Sequence, residues 1–195
     1  MFQLREQLDK TASKPSRERY LLWLGANDIF YRWLAGLPVS DTTFLTSCIK
    51  NIMNMVKSIA ASVNPAAKRR TSIVVLNAYP VESVPFMLPY LTPDIRTVTD
   101  KFNSILAVEL SKLKVNLTET VHLTQADVTS VIRNLINQPP KGVSTNTSCV
   151  VGDVTSSSVT VCDNPSKYIY YDTFHPTEWV HKKIADAVEA ASSTP

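Results

Sequence analysis

Short, almost wholly apolar runs alternate along this chain with longer stretches of helical periodicity, and this alternation restricts the fold more than any other feature. The apolar runs cover residues 20–24, 72–76 and 120–123. Strands that are apolar throughout are typical of parallel sheets covered by helices on both faces. Apolar residues at helical spacing follow over residues 41–63, 93–114 and 125–137. The sequence therefore predicts a three-layer α/β/α sandwich around a parallel sheet, with residues 1–195 forming a single domain.

Capping residues and prolines indicate where these elements begin and end. Thr42 or Thr43 can cap the helix predicted over residues 41–63, and Pro65 ends it. Four prolines make residues 79–93 an ordered loop, and residues 138–166 are predicted to be irregular. A short aromatic strand at residues 168–171 then precedes a terminal helix over residues 176–191, which starts at Pro176.

The composition excludes several classes of function. Lys and Arg number 20 against 17 Asp and Glu, and a net charge of +3 is too small for a surface that follows nucleic-acid phosphates. Only 4 glycines are present, and they cannot assemble a GxGxxG or GxxxxGK phosphate loop. No run approaches the roughly 18 apolar residues of a transmembrane helix. We therefore expect neither a nucleic-acid partner nor a membrane span.

The sequence gives conflicting indications of the compartment. Residues 1–10 are charged and lack the apolar core of a signal peptide, so the chain as written is expected to stay in the cytoplasm. Asn116 and Asn146, however, begin glycosylation sequons, and Cys149 and Cys162 lie in one Ser/Thr-rich segment as a loop-closing disulfide of a secreted protein would. The localisation stays open. Cys48 is predicted to be a small, buried apolar residue.

The tetrapeptide Gly25-Ala26-Asn27-Asp28 directly follows the first predicted strand. Ligand sites of α/β sheets lie where strands end, and glycine permits a tight turn there. An exposed Asn27 amide beyond the turn can donate a hydrogen bond to an oxyanion that develops during a reaction. Because Asn and Asp also favour turns for purely local reasons, a structural role remains the alternative.

A second polar group precedes the terminal helix. Asp172 and His175 are three residues apart, which lets the carboxylate accept a hydrogen bond from His175 Nδ1 and leaves Nε2 free to act as a base. Capping of the terminal helix by the same two residues is the alternative. His122 lies inside a predicted strand, and we expect it to be structural.

In this order and at this separation, these segments resemble the GDSL or SGNH family of serine esterases and lipases. Residues 22–28 match its third block and residues 171–178 its fifth, while residues 78–80 and the segment between Cys149 and Cys162 also resemble it. The resemblance implies hydrolysis of a small-molecule, lipid or carbohydrate ester without a cofactor or metal. It implies that His175 is the base, that Asp172 orients it, that Asn27 stabilises the oxyanion, and that Gly25 and Asp28 shape the site.

The chain departs from the family pattern at the nucleophile. Family members carry it in a Gly-Asp-Ser block after their first strand, and this sequence contains neither that tripeptide nor Gly-x-Ser-x-Gly. Only Ser13 and Ser16 precede Asn27, both in a polar stretch. We therefore expect a sheet truncated at its amino-terminal side, a chain that is inactive by itself, and a full-length relative that is secreted. A noncatalytic module that binds an ester or glycan is the alternative.

Loss of the first strands would have a structural consequence. The strand at residues 20–24 is apolar on both faces and would lack a neighbour on one side. Such an edge is prone to pairing with another chain, so self-association is expected.

Overall fold

The computed structural model describes residues 4–5, 18–63, 70–152 and 158–193. Its main sheet has four strands in the order β1 (Leu4–Arg5), β2 (Glu18–Trp23), β3 (Thr71–Leu76) and β4 (Val121–Ala126). Strands β2, β3 and β4 run parallel, with Tyr20, Ile73 and Leu123 side by side, whereas β1 is antiparallel to β2. The predicted parallel sheet is confirmed.

Helices cover both faces of this sheet. Consecutive strand residues point to opposite faces, and the four residues from Ile73 to Leu76 are all buried. Helices α2 (Thr42–Ser62) and α3 (Pro93–Lys114) pack on each other, and α3 contacts β4. Helices α4 (Val128–Asn137) and α5 (Glu178–Ser193) form a second packed pair, in which α5 contacts β3 and β4. The α/β class predicted from the apolar pattern is therefore confirmed.

The two long helices are the predicted ones, with one difference in capping. Thr92 caps α3 by accepting a hydrogen bond from the Ile95 N–H, and Pro93 occupies the first turn. At the start of α2 the cap is the carboxylate of Asp41, which accepts from the Thr43 N–H. The prediction of a threonine cap was wrong, because the helix begins at Thr42 and the residue before it, Asp41, occupies the capping position. Pro65 lies outside the described residues.

Two predicted boundaries move because strand pairing competes with helix formation. Strand β4 continues to Ala126, so Gln125 is in the sheet and pairs with Val75, and α4 starts only after its cap Asp127. Helix α5 starts at Glu178 rather than Pro176, because Pro176 forms an isolated β-bridge with Tyr170.

The stretch expected to be irregular contains three short strands. β5 (Ser144–Ser148) pairs in parallel with β8 (Tyr168–Tyr170), and β6 (Val150–Val151) pairs antiparallel with β7 (Thr160–Val161). The predicted last strand therefore exists, but it belongs to a small sheet apart from the main one. A disulfide joins Cys149 to Cys162 beside this hairpin, with Cα atoms 4.9 Å apart.

The outer edge of β2 is not open along its whole length. Leu4 pairs with Leu21 and Arg5 with Tyr20, so the expectation of a fully exposed strand at residues 20–24 was wrong at these two positions. No other described strand pairs with that edge. Self-association stays a prediction.

Ser13 and Ser16 lie outside the described residues. Among the described helices, none is long and apolar enough to cross a bilayer.

Candidate active site

Gly25 forms the sharp turn that ends β2 and begins α1 (Ala26–Leu34). Its φ of 108° is a conformation that residues with a side chain rarely adopt. A Cβ at this position would lie 2.4 Å from Cζ of Phe102, which is fully buried on α3. Glycine is therefore required here both by the backbone angle and by the space available.

Asn27 and Asp28 lie in the first turn of α1, where their side chains are exposed. The Asn27 amide makes no hydrogen bond with another described residue, so its N–H groups are available to a ligand. Both side chains line an open cavity of about 410 Å³, together with Tyr31, Arg32, Leu37 and Phe44. Sequence analysis placed Asn27 correctly after the strand but missed the helix that carries it. Closely spaced apolar residues at Ile29, Phe30 and Trp33 were the only sign of that helix.

Asp172 and His175 are held together in a tight loop between β8 and α5. The Asp172 carboxylate accepts hydrogen bonds from the N–H groups of Phe174 and His175, at 2.8 and 2.7 Å. Nδ1 of His175 lies 2.8 Å from Asp172 Oδ2 and 3.0 Å from Oδ1. With Nδ1 engaged, Nε2 is the free nitrogen of a ring whose side chain is 74% exposed.

The loop also fixes the charge of Asp172. Burial by itself would raise the pKa of this carboxyl. The N–H donors of Phe174 and His175, together with the His175 ring, outweigh burial and hold the pKa of Asp172 below its ordinary value of 3.8. The carboxylate is therefore ionised at neutral pH and can stabilise a positively charged imidazole.

Aromatic contacts bring the two predicted motifs to the same region. Phe30 of α1 packs edge-on against Phe174, with ring centroids 5.2 Å apart, and Phe174 precedes His175. Phe86 stacks on Phe174 at 4.5 Å, and its N–H donates to the Thr173 carbonyl. The helix that carries Asn27 and the loop that carries His175 are thus joined through one cluster of rings, which sequence analysis did not find.

The model of the family described as GDSL-like Lipase/Acylhydrolase matches residues 3–188. The chain belongs to this family. The match covers nearly the whole sequence and confirms the resemblance carried by residues 22–28 and 171–178. The GDSL-like lipases and acylhydrolases act on small ester substrates. No curated protein matches the chain.

In this GDSL-family chain, the disulfide hairpin is attached to the Asp172 loop. The N–H of Cys149 donates to the Tyr170 carbonyl at 3.0 Å, and the N–H of Val150 donates to the Tyr171 carbonyl at 2.7 Å. Tyr171 N–H in turn donates to the His175 carbonyl at 2.8 Å. The hairpin therefore supports the backbone from which Asp172 projects.

A polar network fixes the loop that carries Phe86. Asn77 follows β3, and its amide donates to Asp127 at 2.7 Å, while the Ala78 N–H donates to the Asn103 side chain at 2.8 Å. Thr129 donates to the Ala78 carbonyl at 2.6 Å. These bonds anchor the start of the proline-rich loop to α3 and α4. Asn77, Asn103 and Thr129 also line a cavity of about 540 Å³. Within the described ranges no three His, Cys, Asp or Glu side chains are grouped as metal ligands.

Proposed function

We propose that this chain supplies the base, the orienting acid and the oxyanion donor of a carboxylic-ester hydrolase site. The observation that supports this most directly is the 2.8 Å contact between Asp172 and Nδ1 of His175, which leaves Nε2 of an exposed imidazole free. The family match gives the reaction class, and Asn27 on the neighbouring helix offers an amide that no other described residue engages.

In the proposed reaction a serine hydroxyl attacks the ester carbonyl while His175 Nε2 takes its proton. The negative charge of Asp172 stabilises the resulting imidazolium, and the Asn27 amide donates to the oxyanion of the tetrahedral intermediate. Collapse of the intermediate releases the alcohol, which receives the proton from His175. Water then attacks the acyl-serine by the same steps and releases the carboxylic acid.

The sequence contains no Gly-Asp-Ser, so we propose that the chain by itself does not turn over esters. Loss of a triad nucleophile leaves only the weak rate enhancement of the oxyanion hole and of binding. The second candidate is a noncatalytic family member that binds an ester or glycan. It is favoured by the same missing tripeptide and by the cavity beside Asn27.

Hydrolysis of p-nitrophenyl acetate by the chain and by its His175→Ala variant tests the inactivity. We expect the chain and the His175→Ala variant to hydrolyse the ester at equal rates. Glu178→Ala, which changes another exposed side chain near the same loop, is the control and should give the same rate. A rate well above that of His175→Ala, abolished by a serine-directed phosphonate, would reveal an active serine and overturn the proposal.

Addition of a peptide that carries the Gly-Asp-Ser strand and loop of an active family member separates the two candidates. We expect turnover in the mixture that is lost with His175→Ala and Asn27→Ala. Binding of the peptide without any turnover would instead favour the noncatalytic module.

A further inference from the structure

Two glycosylation sequons have no part in the proposed ester site. They are Asn116-Leu117-Thr118, which starts two residues after α3 ends, and Asn146-Thr147-Ser148 in β5. A third pattern, Asn164-Pro165-Ser166, has proline in the middle and is not an acceptor sequence. Asn116 and Asn146 are both exposed, so both sequons place their asparagine on the surface, where N-linked glycans are carried.

The Asn116 sequon is accessible in the folded chain. Nδ2 of Asn116 lies in the turn after α3 and donates a hydrogen bond to the Lys112 carbonyl at 3.0 Å. Attachment of a sugar to Nδ2 replaces one of its two N–H groups and leaves the other for a hydrogen bond. Thr118, which supplies the hydroxyl of the sequon, is exposed as well and pairs with the Thr120 hydroxyl at 3.0 Å. Both functional groups of this sequon are therefore accessible before and after folding.

The Asn146 sequon differs, because folding removes its hydroxyl from the surface. The Asn146 side chain is exposed and makes no hydrogen bond with another described residue. Ser148, however, is only 6% exposed, and its hydroxyl donates to the Val150 carbonyl at 2.7 Å. The next residue, Cys149, is buried and forms the disulfide with Cys162 that closes the hairpin. An enzyme that must contact the Ser148 hydroxyl can therefore reach it only before this segment folds.

The Asn116 sequon also lies away from the proposed ester site. Strands β2, β3 and β4 are parallel, and Asn27 follows the carboxyl end of β2. Helix α3 connects β3 to β4 and therefore ends near the start of β4, where the N–H of Val121 donates to the Thr118 carbonyl at 2.9 Å. A glycan at Asn116 is thus attached at the opposite end of the strands and leaves the surface around Asn27 open.

We propose that this chain is an N-glycoprotein, modified at Asn116 independently of folding and at Asn146 only until the Cys149–Cys162 hairpin closes. The co-substrate is an oligosaccharide carried on a polyprenyl diphosphate. Nδ2 of the asparagine forms a bond to the anomeric carbon of the first sugar and loses a proton, while the bond from that carbon to the diphosphate oxygen breaks and the diphosphate leaves with the electron pair. The disulfide supports this assignment, because structural disulfides and N-linked glycans are both features of secreted proteins. The proposal does not depend on ester hydrolysis.

Translation of the full chain behind a cleavable signal peptide, in the presence of microsomes, tests the two sites. Each glycan slows the protein by one step on a denaturing gel, and peptide-N-glycosidase removes the glycan and leaves an aspartate that mass spectrometry locates. We expect nearly every chain to be modified at Asn116 and a minority to be modified at Asn146 as well. Asn116→Gln and Asn146→Gln should each remove one step, whereas Asn164→Gln, an exposed asparagine outside a sequon, is the matched control and should remove none.

Removal of the disulfide tests the competition between folding and modification. Cys149→Ser combined with Cys162→Ser leaves both sequons intact and keeps the hairpin open for longer. We expect the fraction modified at Asn146 to rise at least about twofold, because opening the loop favours conformations in which Ser148 is exposed. Cys48→Ser, which removes the free thiol instead, is the control and should leave this fraction unchanged. Translation of the unaltered chain with a reducing agent gives the same comparison without any substitution.

Loss of one hydroxyl should have the same effect as loss of the corresponding asparagine. Thr118→Ala should abolish the glycan at Asn116, and Ser148→Ala the glycan at Asn146. An unmodified Asn116 in the unaltered chain would overturn the proposed glycoprotein. A fraction modified at Asn146 that is the same with and without the disulfide would overturn the role of hairpin closure. The gel detects glycans on folded and unfolded chains alike, so a variant that fails to fold still gives a result.

Discussion

Replacement of Gly25 by alanine should destabilise the fold through two separable effects. The first is backbone strain, since a non-glycine residue at a φ of 108° costs about 1–3 kcal/mol. The second is steric, because the new Cβ would lie 2.4, 2.8 and 3.2 Å from three ring atoms of Phe102. Overpacking of a filled core costs about 1–3 kcal/mol. Together these give a loss of about 2–6 kcal/mol in the free energy of unfolding.

Gly36 provides the matched control for the backbone effect. It also has a positive φ, 69°, but a Cβ there would meet nothing within 4 Å. Gly36→Ala should therefore cost only about 1 kcal/mol. Urea unfolding followed by far-UV circular dichroism measures both changes. A loss at Gly25 no larger than the loss at Gly36 would refute the steric argument.

A double substitution isolates the contact with Phe102. Leucine at that position lacks the three ring atoms that the Cβ introduced by Gly25→Ala would approach, so Phe102→Leu removes the collision but not the strain. We expect the double variant Gly25→Ala with Phe102→Leu to lose at least about 1 kcal/mol less unfolding free energy than the two single variants lose in sum. Additive losses would show that the ring moves away without cost.

Four further outcomes are expected. The pKa of Asp172 is lowered from 3.8, so the stability that its carboxylate contributes is complete above about pH 4 and is lost as the pH falls through the folded-state pKa. Asp172→Asn should therefore lower the unfolding free energy more at pH 7 than at pH 3. Equal losses at the two pH values in urea titrations would contradict this. Opening the 13-residue disulfide loop with Cys149→Ser and Cys162→Ser should cost about 3 kcal/mol in the same assay. Thiol titration of the denatured, unreduced chain should find one thiol, that of Cys48, and not three. Size-exclusion chromatography should show that the chain associates with itself increasingly as its concentration rises, because β1 covers only two positions of the β2 edge. A monomer at every concentration would refute this.

Reactivity of the free thiol follows from its surroundings. Cys48 is half buried rather than fully buried as the sequence suggested. Burial, followed by the nearby charge of Asp28, raises the pKa of its thiol to about 11. Little thiolate is therefore present at neutral pH, which agrees with the structural role predicted for this cysteine.

Local signals in the sequence were sufficient for the main elements and for the Asp172–His175 pair. The long helices α2 and α3 carry helical periodicity, and strands β2 and β3 are short runs that are apolar throughout, so their type could be predicted without knowing their neighbours. Asp172 and His175 are three residues apart and meet within one loop, and this geometry is also local. Their hydrogen bond could be anticipated for the same reason.

Helix α1 was missed because its start carries no side-chain signal. Gly25 occupies the capping position without a side chain to accept a hydrogen bond, and the helix has only nine residues directly after a strand. Short helices depend on tertiary packing more than on intrinsic propensity. Here Ile29 is buried and the ring of Phe30 contacts Phe86 and Phe174, neither of which is near α1 in the sequence.

The sequence by itself thus determined the long helices α2 and α3, the three parallel strands of the main sheet and the local Asp–His pair. Only the tertiary structure decided how distant segments meet: β8 pairs with β5 instead of joining the main sheet, Leu4–Arg5 covers part of the β2 edge, and rings from residues 30, 86 and 174 converge beside His175. The physical reason is that periodicity and capping depend on neighbours within one or two turns, whereas strand partners and side-chain clusters are selected by burial across the whole chain.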